Sequence, residues 1–238
     1  MERKKMIDVK QNIKTEKKFF PFHIKDCALI LRMSGLRSAV NLRELRDRVE
    51  VCPVDSIYQH FCETLLRSTF DDPDYRNDFA VWSMRSLHDR LLAERLGILN
   101  PYDFKNMEDL RAAVLDILDE RLSELPHIPW VKRGEEFNFK QAMTVVFDTG
   151  KTIDKPEDLP DTIAQMTTSS LYYHFLEARR RVEDGLDDFS AWLKWWGPLG
   201  ASLILAFREI DFYFLTLREL QAELHRVATM VLDRVKDK

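Results

Sequence analysis

Apolar residues recur at helical spacing through most of the chain. Ile57, Phe61 and Leu65 stand four apart on one helix face, and Leu110, Val114, Ile117, Leu118 and Leu122 mark another amphipathic run. Local start and stop signals frame these runs. Asn41, with Glu44 three residues on, is a capping-box pattern that opens a helix through about Val51, and Pro53 ends it. Asp55 or Ser56 is placed to cap the helix of Ile57 and Phe61. After a polar stretch, Asp78 is placed to cap a helix carrying Phe79 and Trp82. A break near Leu87–Asp89 leads to a helix with Leu92 and Leu96, closed by Gly97, and a last helix runs from Asn106 towards Pro126. Two segments depart from this period. Met143–Ile153 alternates apolar and polar residues around Asp148-Thr149-Gly150-Lys151, which predicts a short β-hairpin. Cys27–Met33 is nearly continuous in apolar residues and fits helix or strand equally.

The pattern repeats. Ser56-Ile57-Tyr58-Gln59-His60-Phe61 returns as Ser170-Leu171-Tyr172-Tyr173-His174-Phe175, and Asp78-Phe79-x-x-Trp82 returns as Asp188-Phe189-x-x-Trp192. Leu92-Ala93 aligns with Leu205-Ala206, Glu108-Asp109-Leu110 with Arg218-Glu219-Leu220, and Phe20-x-Phe22 with Phe137-x-Phe139. Order-preserving matches of this kind are the signature of an internal repeat. The expected fold is mainly α: two tandem copies of a small helical domain, with the β-hairpin opening the second copy. The expected organisation is a charged, flexible N-terminal arm at 1–18, unit one at 19–125, a linker at 126–135 and unit two at 136–238.

Composition narrows the function classes. Of 238 residues, 45% are hydrophobic and 32% charged, enough apolar content for a real core. The net charge of -4 argues against a dedicated nucleic-acid binder, which concentrates Lys and Arg. Cys27, Cys52 and Cys62 lack metal-ligand or disulfide spacing and predict reduced thiols in a cytoplasmic protein. The N-terminal residues contain no apolar signal core, and the most apolar stretch, Leu199–Leu217, is broken by Arg208, Glu209 and Asp211, so neither a secretory signal nor a membrane span is expected.

The Asp-Phe-x-x-Trp element, followed by Leu92-Ala93-Glu94-Arg95-Leu96 and preceded by the Ser-Ile-Tyr-x-His-Phe segment, resembles family 5752, an uncharacterised prokaryotic domain-of-unknown-function family. The resemblance covers most of both units and implies a small, mainly helical domain in two tandem copies. It brings no activity, cofactor or catalytic residue. Unit two departs from the pattern, with Leu205-Ala206-Phe207-Arg208-Glu209 in place of the Leu-Ala-Glu-Arg-Leu run.

Tyr58, His60, Asp78 and Trp82, with Tyr172, His174, Asp188 and Trp192, are the candidate ligand-binding residues, each His suited to acid–base work with an Asp orienting its ring. The competing role for these histidines, favoured on sequence, is a helix histidine bonded to a loop carbonyl or to that Asp. The Phe and Trp residues stand at core spacing. No catalytic set is complete, which points away from an enzyme, and no cofactor is expected. No His-Glu-x-x-His occurs, and the Asp71-Asp72-Pro73-Asp74 loop lacks the glycine turn and terminal Glu of a calcium loop, so no metal is expected. Arg179-Arg180-Arg181, between Glu177 and Glu183, reads as a helix-surface ion-pairing run. The expected function is a non-catalytic protein-interaction or regulatory domain, contacting a protein partner or itself through the aromatic surface of unit two. The alternative is a small-molecule or enzymatic pocket built on the Tyr/His/Asp sets.

Overall fold

The computed structural model of the chain describes residues 20–66 and 75–236. The N-terminal arm at 1–18 and the Asp71–Asp74 loop lie outside the described residues. The fold is mainly helical with one small antiparallel sheet of two strands, β1 (Phe22–Met33) and β2 (Lys140–Ile153). Between the strands run α1 (Leu42–Val51), α2 (Val54–Phe61), α3 (Asp78–Arg85), α4 (Arg90–Gly97) and α5 (Met107–Glu124). After β2 come α6 (Leu159–Gln165), α7 (Thr168–Leu171), a π-helical stretch Tyr172–Glu177, α8 (Ala178–Arg181), α9 (Asp188–Leu193), α10 (Gly197–Arg208) and α11 (Leu217–Lys236).

Local capping explains several helix starts. Asn41 Oδ1 accepts the Glu44 N–H at 2.8 Å, and Asn106 Oδ1 accepts from Glu108 and Asp109. Two starts differ from expectation. α2 begins at Val54 behind Pro53 with no side-chain cap, because proline presets the backbone and needs no N–H partner. α3 is capped by Asn77, not Asp78: Asn77 Oδ1 accepts from Ala80, and Asp78 is the first helical residue. In the same way Asp187, not Asp188, caps α9. Moving the cap back one residue leaves both aspartates available to other partners.

The expected hairpin does not form. Lys140–Ile153 is a single strand whose partner is β1, in the register Ile30↔Met143 and Ala28↔Val145. Thr149 and Gly150 bulge out where the register shifts opposite Ile24 and Lys25, with Gly150 at φ +72° and Thr149 Oγ1 donating to the Ile24 carbonyl at 2.6 Å. The Asp-Thr-Gly-Lys turn signal therefore encodes a bulge. The long-range pairing also resolves Cys27–Met33 as strand.

Among the described residues there are two hydrophobic cores, and each is completed by a short segment from the other half of the chain. Leu42, Leu45, Ile57, Phe61, Phe79, Leu92, Leu96, Leu110, Val114 and Leu118, from α1 to α5, close around Phe137 and Phe139. Leu159, Leu171, Phe175, Phe189, Leu203, Phe207 and Leu224 close around Phe22, Ile24 and Cys27. Phe22, Ile24 and Cys27 thus pack with the second half of the chain, and Phe137 and Phe139 with the first. Most of the aromatic excess after Trp192 is internal: Trp192, Phe207 and Tyr213 are buried, leaving Trp195 and Phe214 well exposed.

Candidate functional site

The two histidines sit where the strands enter the opposite helices. His60, 2% exposed, places Nδ1 2.6 Å from Asp78 Oδ2, and His174 places Nδ1 2.7 Å from Asp188 Oδ2. The far nitrogens are occupied as well. His60 Nε2 accepts the backbone N–H of Lys140 at 3.0 Å, and His174 Nε2 accepts that of Lys25 at 2.9 Å. An Nε2 that accepts requires the proton on Nδ1, where each aspartate receives it; this is the neutral tautomer.

The same constellation recurs around both rings. Phe137 lies 4.8 Å from His60 and 4.8 Å from Phe79; Phe22 lies 4.9 Å from His174 and 5.2 Å from Phe189. Trp82 Nε1 donates to the Glu135 carbonyl at 2.7 Å, and Trp192 Nε1 donates to that of Phe20 at 2.8 Å. These contacts match Phe22 with Phe137 and Lys25 with Lys140, two residues out of step with the expected alignment of Phe20-x-Phe22 and Phe137-x-Phe139. The Leu205 match fails too: Leu92 and Leu203 are fully buried, whereas Leu205 is 61% exposed.

The surroundings of the two sets differ. Asp188 is held by Arg181 as well as His174; burial works against its charge, but these bonds outweigh it and keep the carboxyl below the usual aspartate range. Ser170 Oγ donates to the Lys25 carbonyl at 2.6 Å, while the matching Ser56 Oγ has no hydrogen-bond partner among the described residues. Burial pushes the Cys27 thiol up to about 12. Among the described residues no group of three or more His, Cys, Asp or Glu side chains is placed to hold a metal ion.

The tyrosines lie apart from the histidines. Tyr58 and Tyr172 meet each other across the two halves, hydroxyl to hydroxyl at 3.1 Å, and burial pushes both phenols above their usual range. The eight candidate residues therefore form three groups: two His–Asp–Trp clusters that grip a strand, and one tyrosine pair at the junction. With both ring nitrogens engaged, each His–Asp pair is bonded as a clamp on a backbone N–H.

A model for a family described as "Family of unknown function (DUF5752)" matches residues 20–229. The chain belongs to DUF5752. The match is a single copy spanning both halves, so it carries the family but not two tandem copies of it. A solved member of the same fold is described as "The structure of OrfY from Thermoproteus tenax": it is 27% identical, superposes with a TM-score of 0.74, and the match covers 89% of this chain and 95% of that one. No curated protein matches this DUF5752 chain. Among its described residues, no helix is long and apolar enough to cross a membrane.

Sequence reasoning singled out the histidines and aspartates but missed their partners, the Lys25 and Lys140 amides, because a backbone donor has no sequence signature. It also missed that Arg179 and Arg180 part company with Arg181, which alone pairs with Glu177 and Asp188.

Proposed function

We propose that this chain is a non-catalytic interaction module formed by two copies of one unit that exchange their N-terminal strands. Two kinds of observation support the duplication: the ordered sequence matches, and the paired contacts of His60 with Lys140 and His174 with Lys25. The clamp geometry supports a non-catalytic role. Three buried free thiols suit a reducing compartment, and we read the chain as cytoplasmic.

The observation that carries the interaction reading is the open face of the strand ribbon. Ala28, Ile30, Val145, Met143 and Phe147 lie on one face, with Ile30 and Met143 both 55% exposed and Phe147 50%. A contiguous apolar face of this kind marks a contact surface. Its occupant is a second copy of the chain. The patch is built from cross-strand pairs, Ala28↔Val145 and Ile30↔Met143, flanked by Phe147 at one end and Arg32 at the other. Stacked on its own copy about a twofold axis perpendicular to the strands, each ribbon brings Arg32 to the end of the other ribbon formed by the Asp26↔Phe147 pair, a carboxylate beside an aromatic ring.

Light scattering across a concentration series tests this. The expected result is a dimer that Val145→Glu converts to monomer with the secondary structure and a cooperative thermal transition retained. A monomer at about 100 µM, far above a dissociation constant worth about 8 kcal/mol, overturns the self-association.

A further inference from the structure

Arg179 and Arg180 face a cavity of about 780 Å³ at the junction of the two halves, walled by α2, residues 101–108 and α8. The Arg180 guanidinium lies 4.2 Å above the Tyr58 ring, 4.0 Å from the Asp55 carboxylate, and also acts on Glu63. Arg179 is held against two rings, 4.7 Å from Phe175 and 4.5 Å from Phe212. One of its terminal nitrogens is 3.9 Å from Asp187, and its Nε is buried without a hydrogen-bond partner among the described residues. Lys105 adds a third cation to the wall. Of the two acids there, Asp55 is shared with Arg180, while Glu108 is engaged by Arg111 at 2.7 Å. Of the charged side chains that line the cavity, three are cations and two are carboxylates, one of these already paired with Arg111. An unmet buried guanidinium nitrogen is costly, and an anion bound to the same guanidinium would offset part of that cost.

We infer that this junction cavity binds a small organic phosphate, its phosphoryl group meeting Arg179, Arg180 and Lys105. Guanidinium groups seated on aromatic faces are already oriented, so little side-chain freedom is lost when a phosphate docks. The volume suits a ligand of nucleotide size, and Tyr58, Phe104, Met107 and Val182 supply apolar wall for the rest of the molecule. Because α2 and α8 come from opposite halves, a bound ligand bridges them and favours the arrangement in which they are apposed. No residue of the ribbon's apolar face lines the cavity, and the inference does not depend on self-association.

Calorimetric titration and thermal melts of the full chain test the inference, with AMP and pyrophosphate as probes and adenosine, and sodium chloride at matched ionic strength, as controls. The expected result is saturable binding of at least one phosphate-bearing probe with a rise in melting temperature, none from adenosine or salt, and about a tenfold weaker affinity in Arg180→Gln and in Lys105→Gln. Both side chains are at the surface, so the variants should melt like the parent without ligand, and a parent-like melt certifies that a lost affinity is local. Absence of binding to both phosphate probes at about 5 mM, a constant worth only some 3 kcal/mol, overturns the inference. So does equal binding by parent and variants, or an equal response to adenosine.

Discussion

Glu63 is a carboxyl in a place that disfavours its charge. It follows α2, is 3% exposed, and among the described residues receives a long 3.5 Å bond from Thr144 Oγ1. Burial raises its pKa from 4.5 to about 7; Arg180 and Thr144 pull it down, while Asp55 and Glu177 push it further up. With the folded value above the unfolded one, the native state holds a proton that the unfolded chain releases. Stability from this group is therefore present below the unfolded value and lost as pH rises through about 7. Glu63→Gln is expected to stabilise by about 1–3 kcal/mol at pH 8 and by little at pH 5 in urea titrations. An equal effect at both pH values would remove Glu63 as the source. Gln59 is a second burdened residue: it is fully buried, and neither amide atom has a partner among the described residues. Gln59→Met should raise stability by about 1 kcal/mol, since an apolar isostere removes two unmet polar atoms; a loss of stability in the same titration would reveal a hidden partner. The His–Asp pairs were legible at this scale because both members recur in sequence, whereas the emptiness around Gln59 depends on tertiary neighbours and left no trace there.

Elements with local signals were the ones that could be read. The helices behind Asn41 and Asn106 start where their caps predict, since a cap and its N–H groups lie within three residues. β2 was recognised as extended by its alternation but assigned to a hairpin, because alternation specifies a strand and not its partner. The alignment of Phe20-x-Phe22 with Phe137-x-Phe139 slipped by two for a related reason. A period-2 segment shifted by two keeps every apolar residue on the same face, and the tertiary bonds of Trp82 and Trp192, with those of His60 and His174, fix which phenylalanine is which. These tryptophans close the groove around the incoming strand. Trp82→Ala should cost on the order of 3–5 kcal/mol through the cavity it leaves. Trp82→Phe, which retains much of the volume but strands the Glu135 carbonyl, should cost about 1–2 kcal/mol. A loss below about 1 kcal/mol for the alanine variant in denaturant melts would place Trp82 outside the core.

At the scale of the molecule, the crossed packing of these segments makes the two halves mutually dependent. Neither core is complete without residues from the far half of the chain: Phe137 and Phe139 for the first, Phe22 and Ile24 for the second. A fragment ending at residue 125 therefore lacks the strand that fills its core and exposes the Phe61–Phe79 cluster, so it should not give a cooperative thermal transition alone; a sharp transition near the parent midpoint would contradict the interdependence. The most direct test follows single amides by native-state hydrogen exchange. Lys25 N–H is bonded to a ring 149 positions away and Lys140 N–H to one 80 positions away. His174→Ala should speed exchange at Lys25 by about tenfold or more while leaving Lys140 protected, and His60→Ala should do the reverse. Crossed exchange of this kind is what swapped strands require; an unchanged Lys25 amide in His174→Ala, or a response at Lys140 instead, would contradict the account.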